Sequence, residues 1–235
     1  MVPASDDPLI VMSAVLPFAV PVSRNDPGKP SGSSRSNPQL HAHCTSGKWT
    51  IKLRITAHPT MNVRRAISED APAIAKVHVD AQRTTYAGIL PADYLASLSY
   101  QNREQIWRNS LSGSGSREFT FVVESDETGI IAFAAGCPER DGDRIYRGEL
   151  RAIYIRQRHQ RQGHGRRLTG AVVRQLLEDG FDSMLVWVLA ENPSRAFYDV
   201  LGGKVVNSKM IEIGGRELQQ VAYGWSDIHP LVELS

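Results

Sequence analysis

The chain has 235 residues, of which 41% are hydrophobic and 22% charged, and its formal net charge is +2. These values are ordinary for a soluble globular protein and leave room for one full core, or for one domain with an extension. Residues 1–60 carry six Lys and Arg against three Asp and Glu, whereas residues 61–235 carry 21 against 22. The main part of the chain is therefore nearly neutral, and it lacks the basic stripe with interleaved aromatic residues that indicates a nucleic-acid-binding protein.

The two cysteines, Cys44 and Cys137, are too few for a disulfide framework and favour a reducing compartment. His41 and His43 lie next to Cys44, but no second half-site with zinc-ligand spacing follows in the sequence. We therefore expect no metal.

Residues 1–60 differ in composition from the rest of the chain. The apolar run over 9–22 is interrupted by two prolines, and 25–34 has the Pro-, Gly- and Ser-rich composition of a disordered segment. The apolar run is also compatible with a signal-peptide core, but acidic residues precede it and it is too short to span a bilayer. A short strand over 49–55 would stand alone. We expect 1–60 to be a low-complexity, disordered extension from an upstream start codon, with Met61 opening the domain.

From Met61 onward the hydrophobic spacing predicts alternating strands and helices. A first strand at Met61–Ala66 precedes a helix that starts at Ser68 and runs to about Arg83, with acidic residues in its first turn. A loop separates it from a second, interrupted helical stretch. The remaining predicted elements are, in order, helical residues 91–111, a hairpin of 119–123 and 130–137, a strand over 145–155, a helix to about 179, a strand over 183–189, a helix over 192–201, and a closing hairpin of 205–213 and 217–225. This order predicts a mixed α+β sheet.

The segment Gln160-Arg161-Gln162-Gly163-His164-Gly165 stands between the strand over 145–155 and the following helix. A glycine-containing loop at a helix N-terminus presents free N–H groups and the positive end of the helix dipole to an anion. Five arginines between 156 and 167 add attraction for a polyanion. The loop lacks the third glycine of a dinucleotide fingerprint and the Lys-Ser or Lys-Thr of a P-loop. From the loop alone, a phosphate cradle and an ordinary turn with solvated arginines remain equally open.

Three segments together resemble the GCN5-related N-acetyltransferases. The loop 160–165 resembles the family's pyrophosphate loop, 149–155 resembles its fourth strand, and 192–203 resembles its last helix with the glycine turn after it. The resemblance covers residues 61–226, most closely 145–205, and leaves 227–235 as a C-terminal tail. It implies a three-layer α/β/α fold with six to seven strands, about four helices, and fourth and fifth strands that splay apart.

The resemblance also implies acetyl-coenzyme A as co-substrate. Its pyrophosphate would lie on the loop, and its pantetheine arm would pair with the backbone of the fourth strand, whose side chains we expect in the core. The implied coenzyme-binding residues are Ile153, Tyr154, Ile155, Gln160, Arg161, Gln162, Gly163, His164, Gly165, Arg166 and Asn192. We expect Asn192 also to cap the last helix, and we expect the two histidines of the loop region to be solvated rather than catalytic.

Two residues are implied as catalytic. Glu149 matches the position of a base in one branch of the family, and its alternative is a strand-edge carboxylate paired with Arg147 or Arg151. Tyr198 matches a general acid that protonates the leaving thiolate, and its alternative is a buried aromatic beside Phe197.

The resemblance predicts an acetyl-coenzyme A-dependent N-acetyltransferase that acts by direct attack in a ternary complex. We expect a small-molecule amine as acceptor, with a peptide N-terminus or a lysine as the alternative. A coenzyme A-binding sensor without turnover is a second interpretation, and a toxin-like enzyme acting on charged tRNA is a third that the near-neutral domain disfavours. A cytoplasmic location is expected, without nucleic-acid or membrane partners, and a homodimer remains open.

Overall fold

A computed structural model of the protein describes residues 40–45, 48–53, 61–113 and 117–234. In the first part, strands β1 (Leu40–Thr45) and β2 (Lys48–Leu53) form an antiparallel hairpin that places Trp49 opposite Cys44. The prediction that a strand near Trp49 stands alone is therefore wrong. The hairpin and the domain that follows from Met61 belong to separate compact units. The predicted disordered segment 25–34 lies outside the described residues.

The domain is built on one seven-stranded sheet with the order β3-β4-β5-β6-β7-β9-β8. Neighbouring strands are antiparallel except for β6 and β7, which are parallel. The strands are β3 (Met61–Arg65), β4 (Phe119–Ser125), β5 (Gly129–Pro138), β6 (Gly148–Ile155), β7 (Met184–Leu189), β8 (Lys204–Ile213) and β9 (Arg216–Trp225). The predicted mixed α+β sheet is confirmed.

Helices cover both faces of this sheet. They are α1 (Ala71–Thr85), α2 (Ala92–Ser97), α3 (Tyr100–Ser112), α4 (His164–Glu178) and α5 (Arg195–Val200). Side chains alternate along β5, so that Phe133 packs with α1 and α3, and Ala134 packs with α4. Two cores result, one on each face, and the predicted three layers are confirmed. Ile228 and Leu231 are buried in the α4 core, so the domain continues past residue 226, where a tail was predicted to begin.

The strand β6 begins at Gly148, three residues later than predicted, because the preceding residues form a loop with its own hydrogen bonds. The Asp143 carboxylate accepts hydrogen bonds from the backbone N–H groups of Ile145 and Tyr146. The Ser183 hydroxyl donates to the Ile145 carbonyl and accepts from the Arg147 N–H group. We call residues 139–147 the β5–β6 loop.

The strands β6 and β7 diverge in the middle of the sheet. Their parallel register covers Gly148 with Met184 and Glu149 with Leu185, whereas β6 continues to Ile155 and β7 to Leu189. Beyond Leu185, β7 stays paired with β9 on its other side. The predicted divergence of the fourth and fifth strands of the domain is confirmed. No helix in the described part of the chain is long and apolar enough to cross a membrane.

Candidate active site

The loop between β6 and α4 has the backbone geometry of an anion-binding turn. Arg161 and Gly163 have positive φ angles of 61° and 85°, and α4 begins at His164. The left-handed Gly163 is followed by the right-handed first turn of α4, and this change of hand turns successive N–H groups toward one side, forming a concave site for an anion. The first N–H groups of α4 have no partner within the helix and add to this site.

Gln160 and Gly165 fix the loop to the rest of the domain. The buried Gln160 side chain donates from Nε2 to the carbonyl of Ile155, the last residue of β6, at 3.0 Å. At Gly165 an added Cβ would lie 3.2 Å from the Phe197 ring, so even a methyl group there would crowd the contact between α4 and α5. Sequence reasoning assigned both residues to the coenzyme and missed that they also position the loop.

The surface around the loop is strongly basic. Residues 156–167 include five arginines and no acidic residue. Three residues of the segment are exposed: Arg161, Gln162 and Arg166. Arg167 donates a hydrogen bond to the Met61 carbonyl at 2.8 Å. A cleft of about 310 Å³ lies beside this segment, lined by Asp80, Ala81, Thr84, Arg156, Gln157 and Arg158. The loop therefore combines backbone donors, positive charge and adjacent space.

His164 is buried rather than solvated. Its exposure is 4%, and within the described residues neither ring nitrogen has a hydrogen-bond partner. Burial, followed by the charges of Arg167 and His159, lowers the pKa of His164. The expectation of a solvated side chain was wrong because His164 is the first residue of α4 and its side chain turns into the domain.

Glu149 lies where β6 and β7 begin to diverge, and its carboxylate is held by an arginine. Its exposure is 1%, and Arg140 donates to it from Nε and from Nη2, each at 2.9 Å. Of the two arginines named in the alternative interpretation, Arg151 pairs with Glu118 and Arg147 lies over the Phe181 ring. No pattern in the sequence indicated Arg140, because the contact depends on the path of the β5–β6 loop.

Cys137 lies directly opposite Glu149 on β5. Burial, followed by the negative charge of Glu149, raises the pKa of the Cys137 thiol far above its usual range. A raised pKa lowers the fraction of thiolate, which is the nucleophilic form of cysteine.

Tyr198 belongs to a group of buried aromatic side chains. Its ring contacts those of Phe197, Tyr223 and Trp225. Burial raises the pKa of Tyr86, and the nearby phenols of Tyr154 and Tyr198 raise it further. The structure thus brings the predicted acid close to Tyr86.

Asn192 connects this aromatic group to the turn before α5. Its side chain donates to the Tyr86 hydroxyl at 2.9 Å and accepts from the Ser194 N–H group at 2.8 Å. The helix begins at Arg195 and its N-cap is Ser194, so the prediction that Asn192 caps the helix was wrong. Asn192 instead closes a turn two residues long, which is a common role of an asparagine side chain.

The turn between β8 and β9 packs against the segment that follows α1. Arg216 donates to the Ile89 carbonyl at 2.7 Å, and an added Cβ at Gly214 would meet the Tyr94 side chain at 2.8 Å. The segment that follows α1 therefore lies next to the closing hairpin. Among residues 61–113 and 117–234, no group of His, Cys, Asp and Glu side chains is arranged to hold a metal ion.

Comparisons with known proteins agree with this architecture. A family model described as FR47-like protein matches residues 129–211. The chain is 42% identical over 175 residues to the uncharacterized N-acetyltransferase YuaI of Bacillus subtilis strain 168, a match that covers 74% of this chain and 98% of that protein.

Several solved structures share this fold at low sequence identity. The PaiA N-acetyltransferase from Thermoplasma acidophilum, in complex with coenzyme A, is 18% identical with a TM-score of 0.55, over 68% of this chain and 98% of that one. YncA from Salmonella typhimurium, a putative acetyltransferase with its cofactor acetyl-CoA, is 21% identical with a TM-score of 0.54, over 71% and 93%. An N-acetyltransferase from Staphylococcus aureus Mu50 is 16% identical with a TM-score of 0.56, over 72% and 99%.

Proposed function

The chain belongs to the GCN5-related N-acetyltransferase family, and on that premise we propose that it transfers an acetyl group from acetyl-coenzyme A to a primary amine of a small molecule. The observation that carries this proposal is the anion-binding loop at the N-terminus of α4, placed directly after the strand that diverges from β7. PaiA and YncA, which share the fold, are described with coenzyme A and acetyl-CoA bound. A peptide N-terminus or a lysine remains the alternative acceptor.

The loop has the groups that a coenzyme needs. The amides of Gly163, His164, Gly165 and Arg166 would bind the pyrophosphate, with Arg161 and Gln162 at its rim. The backbone of Tyr154 and Ile155 would pair with the pantetheine arm as an added strand. Gln160 would act indirectly, by fixing the loop to Ile155. Asn192 would hold the turn beside the pantetheine arm. The role of the Ile153 backbone stays a prediction.

In the proposed reaction, the amine nitrogen attacks the thioester carbonyl carbon, and the C–S bond then breaks. Before the attack, the acceptor ammonium loses one proton to Glu149 through a water molecule. When the C–S bond breaks, the leaving sulfur takes a proton from the Tyr198 hydroxyl, and the second nitrogen proton restores that hydroxyl. Glu149 thus serves as the proton acceptor and Tyr198 as the proton donor.

The ion pair with Arg140 sets a condition on this mechanism. Both Glu149 oxygens accept hydrogen bonds from the guanidinium, so each oxygen already has a donor in the place where a water molecule or the amine would bind. For Glu149 to act as base, Arg140 has to release at least one oxygen when the acceptor binds. Arg140 is partly exposed, with 35% of its side chain accessible, so it has room to move.

The same ion pair favours a second candidate function, a coenzyme A-binding module without turnover. A permanently paired Glu149 would leave the acceptor amine without a base, while the loop could still bind the coenzyme.

One experiment separates the two candidates. Thermal melting with acetyl-coenzyme A at about 100 times its Kd should raise the free energy of unfolding by roughly 2.7 kcal/mol. Release of free thiol with a panel of primary amines would then support the enzyme. Binding without thiol release would support the module, and no binding at millimolar coenzyme would refute both.

A further inference from the structure

A third apolar cluster lies on the sheet apart from the two main cores. It consists of Leu185 and Trp187 on β7 and Ala222 on β9, with Tyr146 of the β5–β6 loop packed against it. Trp187 is 7% exposed. A group that packs on the Trp187 ring can contact the flat face of the ring as well as its edge.

The face of Trp187 is covered by an ammonium group of the protein itself. Lys209 Nζ lies 4.2 Å from the centroid of the Trp187 ring. The same nitrogen donates to Asp141 Oδ2 of the β5–β6 loop at 2.9 Å. One cation thus contacts both an aromatic face and a carboxylate, which is the combination that binds organic cations in proteins.

This cation site adjoins the proposed catalytic centre along two chain segments. Leu185 lies beside Glu149 in the parallel register, and Trp187 follows two residues later on the same face of β7. Two residues of a strand span roughly 7 Å. On the other side, Asp141 directly follows Arg140, which holds Glu149. An acceptor whose amine reached Glu149 would therefore extend toward Trp187.

We infer that Trp187 and Asp141 form a subsite for a cationic group of the acceptor, separate from the amine that is acetylated, and that Lys209 occupies it until the acceptor arrives. The inference rests on the proposed function for the identity of the ligand as acceptor. It assigns the substrate class as primary amines that carry a second positive charge, such as an alkylammonium.

Displacement of Lys209 is energetically easy. Its side chain is 41% exposed and that of Asp141 is 63% exposed, and such surface ion pairs contribute little to stability. The flexible lysine side chain can turn into water, where the ammonium is strongly hydrated. An incoming cation would replace it one for one, so the charge of the subsite would not change.

Choline tests the subsite without any acetyl transfer, because its quaternary nitrogen has no N–H group. We would measure its binding by calorimetry to the full chain and to two variants, without acetyl-coenzyme A. Lys209→Met removes the resident cation and its ion pair with Asp141, and Lys204→Met removes the same charge from an exposed position on the same strand. We expect choline to bind Lys209→Met about tenfold more tightly than Lys204→Met.

Two further comparisons distinguish binding of choline at the subsite from nonspecific attraction between choline and the protein. The neutral isostere 3,3-dimethylbutan-1-ol should bind Lys209→Met at least tenfold more weakly than choline, since it lacks the charge that the ring and the carboxylate recognise. Asp141→Asn in the Lys209→Met background should weaken choline binding, and it changes only an exposed side chain.

Equal affinity of choline for the two lysine variants would overturn the inference, as would equal binding of choline and the neutral alcohol. Both results are independent of catalysis. A protein that binds choline as expected but acetylates no amine would refute the proposed function and leave the cation site in place.

Discussion

Replacing Gly163 by alanine tests the anion-binding loop most directly. Gly163 has a φ angle of 85°, and an added Cβ would have no atom within 4 Å. Alanine therefore meets no steric obstacle in the free protein. Its whole effect comes from placing an L-residue in the left-handed region, which costs about 1–2 kcal/mol.

This cost enters in one of two ways. If the loop keeps its conformation, the free energy of unfolding falls by about 1–2 kcal/mol and the affinity for acetyl-coenzyme A is unchanged. If the loop relaxes to a negative φ, the free protein keeps its stability, but the coenzyme has to restore the strained form. Its Kd then rises by about 5- to 30-fold. At one excess coenzyme concentration, both cases lower the free energy of unfolding by the same amount, because ligand binding and folding are linked.

Denaturant unfolding with excess acetyl-coenzyme A measures the total loss in the free energy of unfolding, and the same experiment without coenzyme measures the loss in the free protein. Calorimetric titration measures the change in Kd. Gly180→Ala is the matched control, since Gly180 has a φ angle of 84°, has no atom within 4 Å of an added Cβ, and lies beyond the other end of α4. We expect it to lower stability similarly and to leave the Kd unchanged. The reasoning fails if Gly163→Ala alters neither quantity, or if Gly180→Ala weakens coenzyme binding as much.

Three other predictions concern single side chains. Glu149→Gln should lower kcat by about 10²- to 10⁴-fold with an unchanged Kd for acetyl-coenzyme A, and an equal loss of both would contradict its role as base. Tyr198→Phe should lower kcat at neutral pH and leave melting nearly unchanged; full activity would assign Tyr198 to packing alone. Burial lowers the pKa of His78 in the folded protein well below its ordinary value of 6.5. Below pH 6.5 the unfolded chain therefore binds more protons than the folded protein. Stability should therefore fall by up to about 1.4 kcal/mol per pH unit below pH 6.5. His78→Gln keeps an acceptor for Trp107 Nε1 and should flatten this slope in denaturant titrations, whereas an unchanged slope would assign it to other groups.

The elements of the domain followed from local sequence patterns, because alternation and helical spacing are local. The hairpin of β4 and β5 was predicted from alternating apolar residues around a Gly-containing turn, and it is confirmed. Errors occurred where side chains bond to nearby backbone. Asn192 closes a turn instead of capping a helix, and Asp143 organises a loop where a strand was expected to have begun. In both places a polar side chain competes with regular structure.

The site was only partly accessible from the sequence. The loop over 160–165 could be found because its donors are backbone groups whose placement depends on neighbouring residues. The partners of Glu149, Tyr198 and Trp187 could not, because each comes from a different element. Arg140 reaches Glu149 from the β5–β6 loop, and Lys209 reaches Trp187 from β8. Such contacts depend on the tertiary path of loops and on which strands are adjacent, and no spacing encodes them.

The two ion pairs at the β5–β6 loop give the proposed reaction a simple charge balance. Arg140 pairs with Glu149, and the adjacent Asp141 pairs with Lys209, so each carboxylate has one cation. An acceptor with two ammonium groups can exchange one of them for Lys209 without changing this balance. The second arrives beside Arg140, and a neighbouring positive charge lowers the pKa of an amine. Glu149 acts in the opposite sense while it is ionised, so Arg140 favours the neutral amine only after it has released the carboxylate and Glu149 has taken up the proton.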